Sequence, residues 1–270
     1  MDDQNKKPRT ISNMQKRALI LAVRAGELMM KNGAEVYRVE DTITRICRAC
    51  HIPYVEVFAT TTGVFVTIGS GGEGGDVYTY IKSLDGRTTD LKKISDLNKF
   101  SREFTDTDLS VESGIKRLSE IDNAKPYPLP IRLLGAGLVA SFFCGIFSGH
   151  IIDSLCSFII GVAGYSLASF LDRYDINYFI RGFTCCGLTT FLALLADSSG
   201  ACSNYGAIVI GTIMIFVPGV AITNSIRDFL SGDMLAGVAR MAEALIIAVS
   251  LATGAGIIIA AWNMIGGVAL

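Results

Sequence analysis

The stretch Pro126-Tyr127-Pro128-Leu129-Pro130-Ile131-Arg132-Leu133-Leu134-Gly135-Ala136-Gly137-Leu138-Val139 divides this chain into two chemical classes. Its three alternating prolines stiffen the connection and resist a continuous helix. Every lysine lies at or before Lys125, and beyond Arg132 the cationic side chains are Arg173, Arg181, Arg227 and Arg240, scattered through a very apolar sequence. Ionisable groups are costly in hydrocarbon. The distribution therefore predicts a water-exposed front and a back half of about five bilayer-spanning helices, with the few charges at helix ends or facing one another.

Composition agrees with that division. Half of the 270 residues are apolar, and the mean hydropathy of +0.44 is too high for an ordinary soluble domain of this length. Residues 1–130 hold most of the charge and read as an α+β domain; residues 131–270 read as a transmembrane helical domain. The expected fold class is thus an α-helical polytopic membrane protein with an N-terminal α+β cytoplasmic domain. The net charge of −1 says nothing about partners, and the absence of a basic stripe with interleaved aromatics argues against nucleic acid. Met1-Asp2-Asp3-Gln4-Asn5-Lys6-Lys7 does not lead into an apolar run and a cleavage site, so no signal peptide is read. The front is expected in the cytoplasm and the chain multi-pass in the cytoplasmic membrane.

In the front, Ala18, Leu21, Ala22, Ala25, Leu28 and Met29 recur at helical spacing from Ser12 to Lys31, and Asn32-Gly33 is a helix stop. A second helix from Ala34 to Cys50 carries the stripe Val36, Val39, Ile43, Ile46, Cys47 and Cys50, leaving Glu35, Arg38, Asp41 and Arg45 on other faces. The two are expected to pack as a hairpin. Tyr54 to Ile68 and Val77 to Ile81 have the composition of strands. The glycine-rich run 69–75 between them reads as a hairpin connection, since no Lys-Ser/Thr pair leads a helix as a phosphate loop requires. Helical pattern returns after Asp85-Gly86, most clearly from Ser110 to Ile121.

Cys47-Arg48-Ala49-Cys50-His51 matches the c-type haem attachment pattern. That attachment belongs outside the cytoplasm, and both cysteines fall on the apolar face of a helix, so haem is not expected. Zinc is not expected either, because no second Cys or His pair follows at ligand spacing. The other five of the seven cysteines sit in or beside apolar segments as small hydrophobes. No metal and no cofactor are read from this sequence.

The candidate spans are Ile131–Ser148, Ile151–Leu171, Phe179–Ala196, Tyr205–Ile222 and Leu235–Trp262. With the front inside, all four late arginines fall on the cytoplasmic side, while Gly149-His150 and the Asp197–Asn204 loop face out without Lys or Arg. Asp153 is expected to cap the second span, and Arg181 to reach the interface. Gly137, Ser141, Gly145 and Gly149 form a small-residue stripe that lets another helix approach, whether from this chain or another.

Phe216-Val217-Pro218-Gly219-Val220-Ala221-Ile222-Thr223-Asn224-Ser225-Ile226-Arg227-Asp228 carries the strongest chemistry. Pro218 removes a backbone donor and Gly219 loosens the next turn, so the fourth helix is expected to kink or break there. Freed carbonyls at membrane depth are how transporters build ion and substrate sites. Asn224 and Asp228, four residues apart, share a helical face; Asp228 can change protonation state and Arg227 can hold a carboxylate. Arg240 and Glu243 are spaced to pair near the start of the last span. The alternative to a path is a kinked helix end with a salt bridge that only pins it.

Gly33-Ala34-Glu35-Val36-Tyr37-Arg38-Val39-Glu40-Asp41, the Thr60-Thr61-Thr62-Gly63 strand, and Val217-Pro218-Gly219 leading to Asn224-Ser225-Ile226-Arg227-Asp228, Gly232-Asp233, Gly237 and Arg240 together resemble the threonine/serine exporter family, from about Gln15 onward. The resemblance implies a cytoplasmic domain followed by ten spans, or, in split members, a large subunit with a short membrane partner that supplies the remainder. It implies ion-gradient-driven export of a small polar metabolite, threonine or serine by the family's name and dicarboxylates such as succinate in split relatives. Glu35, Arg38 and Glu40 become motif positions of the front domain. Pro218, Gly219, Asn224, Arg227, Asp228, Arg240 and Glu243 become the membrane ones. The chain stops at Leu270, which by this resemblance points to the split form, with a small membrane subunit, a second copy of itself, or both as partners.

Two further classes stay open. Glu35, Glu40, Asp41, Glu56 and His51 offer carboxylates and an imidazole for a membrane-anchored enzyme, although no motif fixes their geometry. The front domain can equally be a metabolite-sensing or assembly module.

Overall fold

Ser12 opens the first helix with a capping box: its hydroxyl accepts from the Gln15 N–H at 3.2 Å, and the Gln15 side chain accepts from the Ser12 N–H at 2.9 Å. The computed structural model describes residues 11–71, 76–84, 86, 88–107, 109–147, 149–174 and 176–266. They divide into two compact units, Met1–Lys125 with Val220–Met241, and Pro126–Gly219 with Ala242–Leu270. Residues 220–241, from the apolar half of the sequence, cluster with the front.

In the first unit, helix α1 (Asn13–Lys31) buries Leu19, Val23 and Met30 in addition to its expected stripe, and so lies in the core on most of its circumference. Helix α2 (Val36–Ala49) buries Val36, Val39, Ile43, Ile46 and Cys47 against it. The two backbones approach closely: a Cβ on Gly26 would lie 2.5 Å from Ile43 Cδ1. Each fully buried Leu, Ile or Met in this interface contributes about 1.5–3 kcal/mol. Cys47 is one of these core side chains, and burial, then neighbouring Cys50, pushes its thiol up to about 12, which makes it inert.

Strands β1 (Tyr54–Thr60), β2 (Gly63–Gly69) and β3 (Val77–Ser83) form an antiparallel sheet in that order, with Phe58 opposite Phe65 and Phe65 opposite Ile81. Val64, Val66 and Ile68 fill the core from one face. Thr60-Thr61-Thr62-Gly63, read above as strand, is the turn between β1 and β2. The Thr60 hydroxyl accepts from the N–H groups of Thr62 (3.3 Å) and Gly63 (3.1 Å), offering the backbone a local alternative to the ladder. Of the glycine-rich run, residues 72–75 lie outside the described residues, but the strands flanking it pair antiparallel as a hairpin requires. Helix α3 (Leu91–Asp106) is capped by Asp90, and α4 (Val111–Asp122) by Ser110. Ile94, Leu97, Phe100 and Phe104 seat α3 on the core.

The second unit holds α5 (Leu129–Ile146), α6 (Ile151–Leu171), α7 (Tyr178–Ser198), α8 (Tyr205–Ile213) and most of α10 (Met234–Met264). Among the described residues four helices are long and apolar enough to cross a membrane: Leu129–Ile146, Ile151–Tyr174, Tyr178–Ser198 and Met234–Met264. The expected span Tyr205–Ile222 is not one helix. It stops at Ile213, turns through 214–216, and resumes as α9 (Gly219–Leu230), because Pro218 has no N–H for the Met214 carbonyl. The small-residue stripe meets this chain's own α6, where a Cβ on Gly137 would fall 2.7 Å from the Phe158 ring. Asp153 is fully buried and caps the start of α6, accepting from His150 N–H (2.9 Å) and from Ser203 N–H (2.7 Å). Arg181 pairs with Asp172 at 2.9 Å.

Candidate functional site

The polar centre of the first unit is built from two short segments far apart in sequence. Helix α1 ends at Lys31 with Asn32 as its C-cap, and Gly33 follows at φ +91°, a backbone conformation that a Cβ would strain. This turn aims the carbonyls of Gly33 and Ala34 and the first N–H of α2 away from either helix. Glu35 is the residue before α2 but makes no side-chain capping bond of its own, so the helix start needs an acceptor from elsewhere.

Helix α9 and the first turns of α10 supply the partners. Asn224 Nδ2 donates to the Gly33 carbonyl at 2.7 Å. Arg240 Nη2 donates to the Ala34 carbonyl at 2.5 Å. Asp228 Oδ1 accepts the Val36 N–H at 3.2 Å, so that α9 caps α2. Arg227 Nη1 reaches Glu35 Oε1 at 2.5 Å, and Arg38 Nη1 lies 3.3 Å from the other oxygen of the same carboxylate. Below them Arg240 Nε and Asp228 Oδ2 pair at 3.0 Å, the aspartate fully buried and the arginine side chain 8% exposed. That contact is Coulombic in character, since the N–H does not lie along the line to the oxygen.

The corner that presents these groups is itself tightly held. Ser225 Oγ donates to the Gly237 carbonyl at 2.7 Å, and a Cβ on Gly237 would meet the Phe229 ring at 2.8 Å, so α9 and α10 touch backbone to side chain. Asp233 caps α10 by accepting from the Ala236 N–H at 3.0 Å, and Ala236 joins the core of the unit.

Electrostatics separate the three carboxylates. Burial pushes Glu35 upward, but its own backbone N–H, Arg227 and Arg38 outweigh that and hold it below the ordinary glutamate range. Burial pushes Asp228 up, and Arg240 and the Val36 N–H offset this only in part. Glu40 is also raised, by burial against the lowering effect of the Ala59 N–H, with Asp233 adding repulsion. One carboxylate is thus fixed as an anion while two are brought toward protonation.

The structure therefore joins Glu35, Arg38, Asn224, Arg227, Asp228 and Arg240 in one network. Glu40, also on α2, stands apart, its side chain accepting the Ala59 N–H of β1 at 2.9 Å. Pro218, Gly219 and Glu243 belong to the second unit. Arg240, spaced in the sequence to pair with Glu243, also meets Asp228 and the Ala34 carbonyl. Sequence reasoning missed the backbone of Gly33, Ala34 and Val36 as the other half of the network. The helix stop at Asn32-Gly33 was the one available signal. Among the described residues no cluster of His, Cys, Asp and Glu is arranged to hold a metal ion.

The threonine/serine exporter family profile ThrE matches residues 20–262. A probable threonine/serine exporter of Mycobacterium tuberculosis is 23% identical over 242 residues, 88% of this chain and 45% of that protein. The threonine/serine exporter of Corynebacterium glutamicum is 22% identical over 88% of this chain and 50% of its own length. A probable succinate transporter subunit of Escherichia coli, YjjP, is 21% identical over 91% of this chain and 95% of its own length. The chain thus spans about half the length of the exporters it matches and nearly all of the succinate transporter subunit. No solved structure matches it. With the profile covering all but the ends of the chain, and both of the segments that build the polar network inside the match, this protein belongs to the threonine/serine exporter family.

Proposed function

We propose that the chain is a subunit of a secondary transporter that exports a small polar metabolite across the cytoplasmic membrane, the cargo being threonine, serine or a dicarboxylate such as succinate. Family membership and four span-length apolar helices support a membrane exporter. The observation that carries the transport reading is the interruption between α8 and α9. At 1.5 Å per residue the nine residues of α8 reach about 14 Å, half of the roughly 30 Å hydrocarbon core, so a crossing here uses the broken segment 214–218 as well. Backbone outside a regular helix at that depth, where Pro218 has no N–H for the Met214 carbonyl, is where transporters hold an ion or a polar cargo. Immediately after it α9 carries Asn224, Arg227 and Asp228, of which Asp228 is a titratable carboxylate that burial raises above its ordinary range.

In this reading residues 1–130 face the cytoplasm as an α+β domain, and the network holds α9 and the start of α10 to it. Reporter fusions after Lys125, at Arg173 and at Arg227 are expected to read cytoplasmic, and one near Ser199 external. An external signal at Arg227 would remove the discontinuous crossing.

A small membrane subunit completes the transporter, supported by the "subunit" in the name of the relatives whose length this chain matches. Proteoliposomes holding the chain with a co-encoded small membrane protein are expected to release preloaded threonine, serine or succinate only under an ion gradient, and the chain alone to release none. Release that persists without the gradient would count against secondary transport. Chemical conversion of the cargo would favour the membrane-anchored enzyme.

A further inference from the structure

Helix α3 presents a second polar face that the network does not use. Its buried side seats Ile94, Leu97, Phe100 and Phe104 in the core, while Ser95, Asn98, Lys99 and Arg102 recur on the other side at helical spacing. Together with Arg38 of α2 they line a cavity of about 650 Å³, within the size range of small-molecule sites. A run of charge on a helix is ordinarily a solvated face whose charges pair with neighbours. Here, among the described residues, neither Lys99 nor Arg102 makes an ion pair, although Lys92 and Asp96 on the same helix do at 3.0 Å.

We infer that this cleft binds a small polyanionic metabolite carrying two or more carboxylate or phosphate groups, recognised by Arg38, Lys99 and Arg102. Lys99 and Arg102 face one lining carboxylate, Glu103, and Arg38 shares Glu35 with Arg227, so the lining carries an excess of positive charge that suits an anion. The two guanidinium forks suit bidentate contact with planar carboxylate or with phosphate oxygens, and Lys99 adds a point charge. Asn98 and Ser95 supply neutral hydrogen bonds. A zwitterionic amino acid brings no net charge and would leave that excess uncompensated.

The site lies wholly within the first unit and does not depend on which cargo crosses the membrane. It has a built-in connection to the network through one residue: Arg38 lines the cleft and is also within 3.3 Å of Glu35. An anion in the cleft draws on Arg38, which shares the Glu35 carboxylate with Arg227, so occupancy changes the charge balance at the residue that holds α9.

Calorimetric titration of the full chain in detergent, at fixed ionic strength, tests this with succinate, citrate, inorganic phosphate and threonine as probes. Saturable binding of at least one of the multiply charged anions is expected, stronger than that of threonine. It should weaken at least tenfold in Arg102→Ala and in Lys99→Ala, both on an exposed helix face, and be unchanged in Arg45→Ala, whose partner Asp41 lies on the same helix and outside the cleft. The inference is overturned if none of the anions saturates, if binding survives both cleft substitutions, or if the response appears only with phosphatidylglycerol nanodiscs, which would assign the cations to a lipid surface.

Discussion

Asp228→Asn is expected to lower the stability of the full chain by about 3–5 kcal/mol and to abolish gradient-driven efflux. The amide keeps the size and can still accept the Val36 N–H, so α2 retains its cap. What is lost is the counter-charge of Arg240, whose side chain is 8% exposed and whose Nε lies 3.0 Å from the missing charge. Breaking a buried ion pair from one side leaves an uncompensated charge in a poor solvent, which is the source of that magnitude. A second substitution separates structure from transport. Asp228→Asn with Arg240→Met removes both charges, and stability measured by thermal unfolding in detergent should return toward that of the unmodified chain. Efflux should stay lost if the carboxylate takes up the coupling proton. Recovery of efflux in the double variant would make the pair a structural pin alone.

Glu35→Gln should cost about 2 kcal/mol at neutral pH, less than the loss at Asp228, because Arg227 is 54% exposed and water replaces part of what it loses. Its pH dependence has a definite sign. Glu35 is held below its ordinary value of about 4.3, so its contribution is complete above that pH and disappears as pH falls through the lower, folded value. The stability difference between the unmodified chain and Glu35→Gln should therefore be constant from pH 7 to about 5 and shrink below about 4. Glu40 and Asp228, shifted the opposite way, are present in both proteins and largely drop out of the difference. A difference that grows on acidification would contradict the assignment. At the other end of the pair, Arg227→Lys should retain much of the effect and Arg227→Ala should reproduce the loss at Glu35, since a single nitrogen makes the 2.5 Å contact.

The sequence by itself determined the division into a charged front and an apolar back, the α1–α2 hairpin, the break at Pro218 and the family. Each depends on local chemistry: the cost of charge in hydrocarbon, apolar residues at helical spacing, a proline without an N–H, and short motifs in order. It also singled out Glu35, Arg38, Asn224, Arg227, Asp228 and Arg240 as residues with chemistry to explain. Which of these meet was a matter for the tertiary structure alone. For Arg240 the sequence offers Glu243, three residues away, because spacing along a helix is the only proximity a single sequence displays. Its contacts with Asp228 and the Ala34 carbonyl, across a helix corner and across 206 residues of chain, are ones that spacing does not display. The other half of the network is backbone, two carbonyls and an N–H exposed by the turn at Gly33, and every residue carries those groups, so no side-chain pattern marks them. Only folding, which leaves the start of α2 without a cap of its own, makes them the partners that α9 must supply.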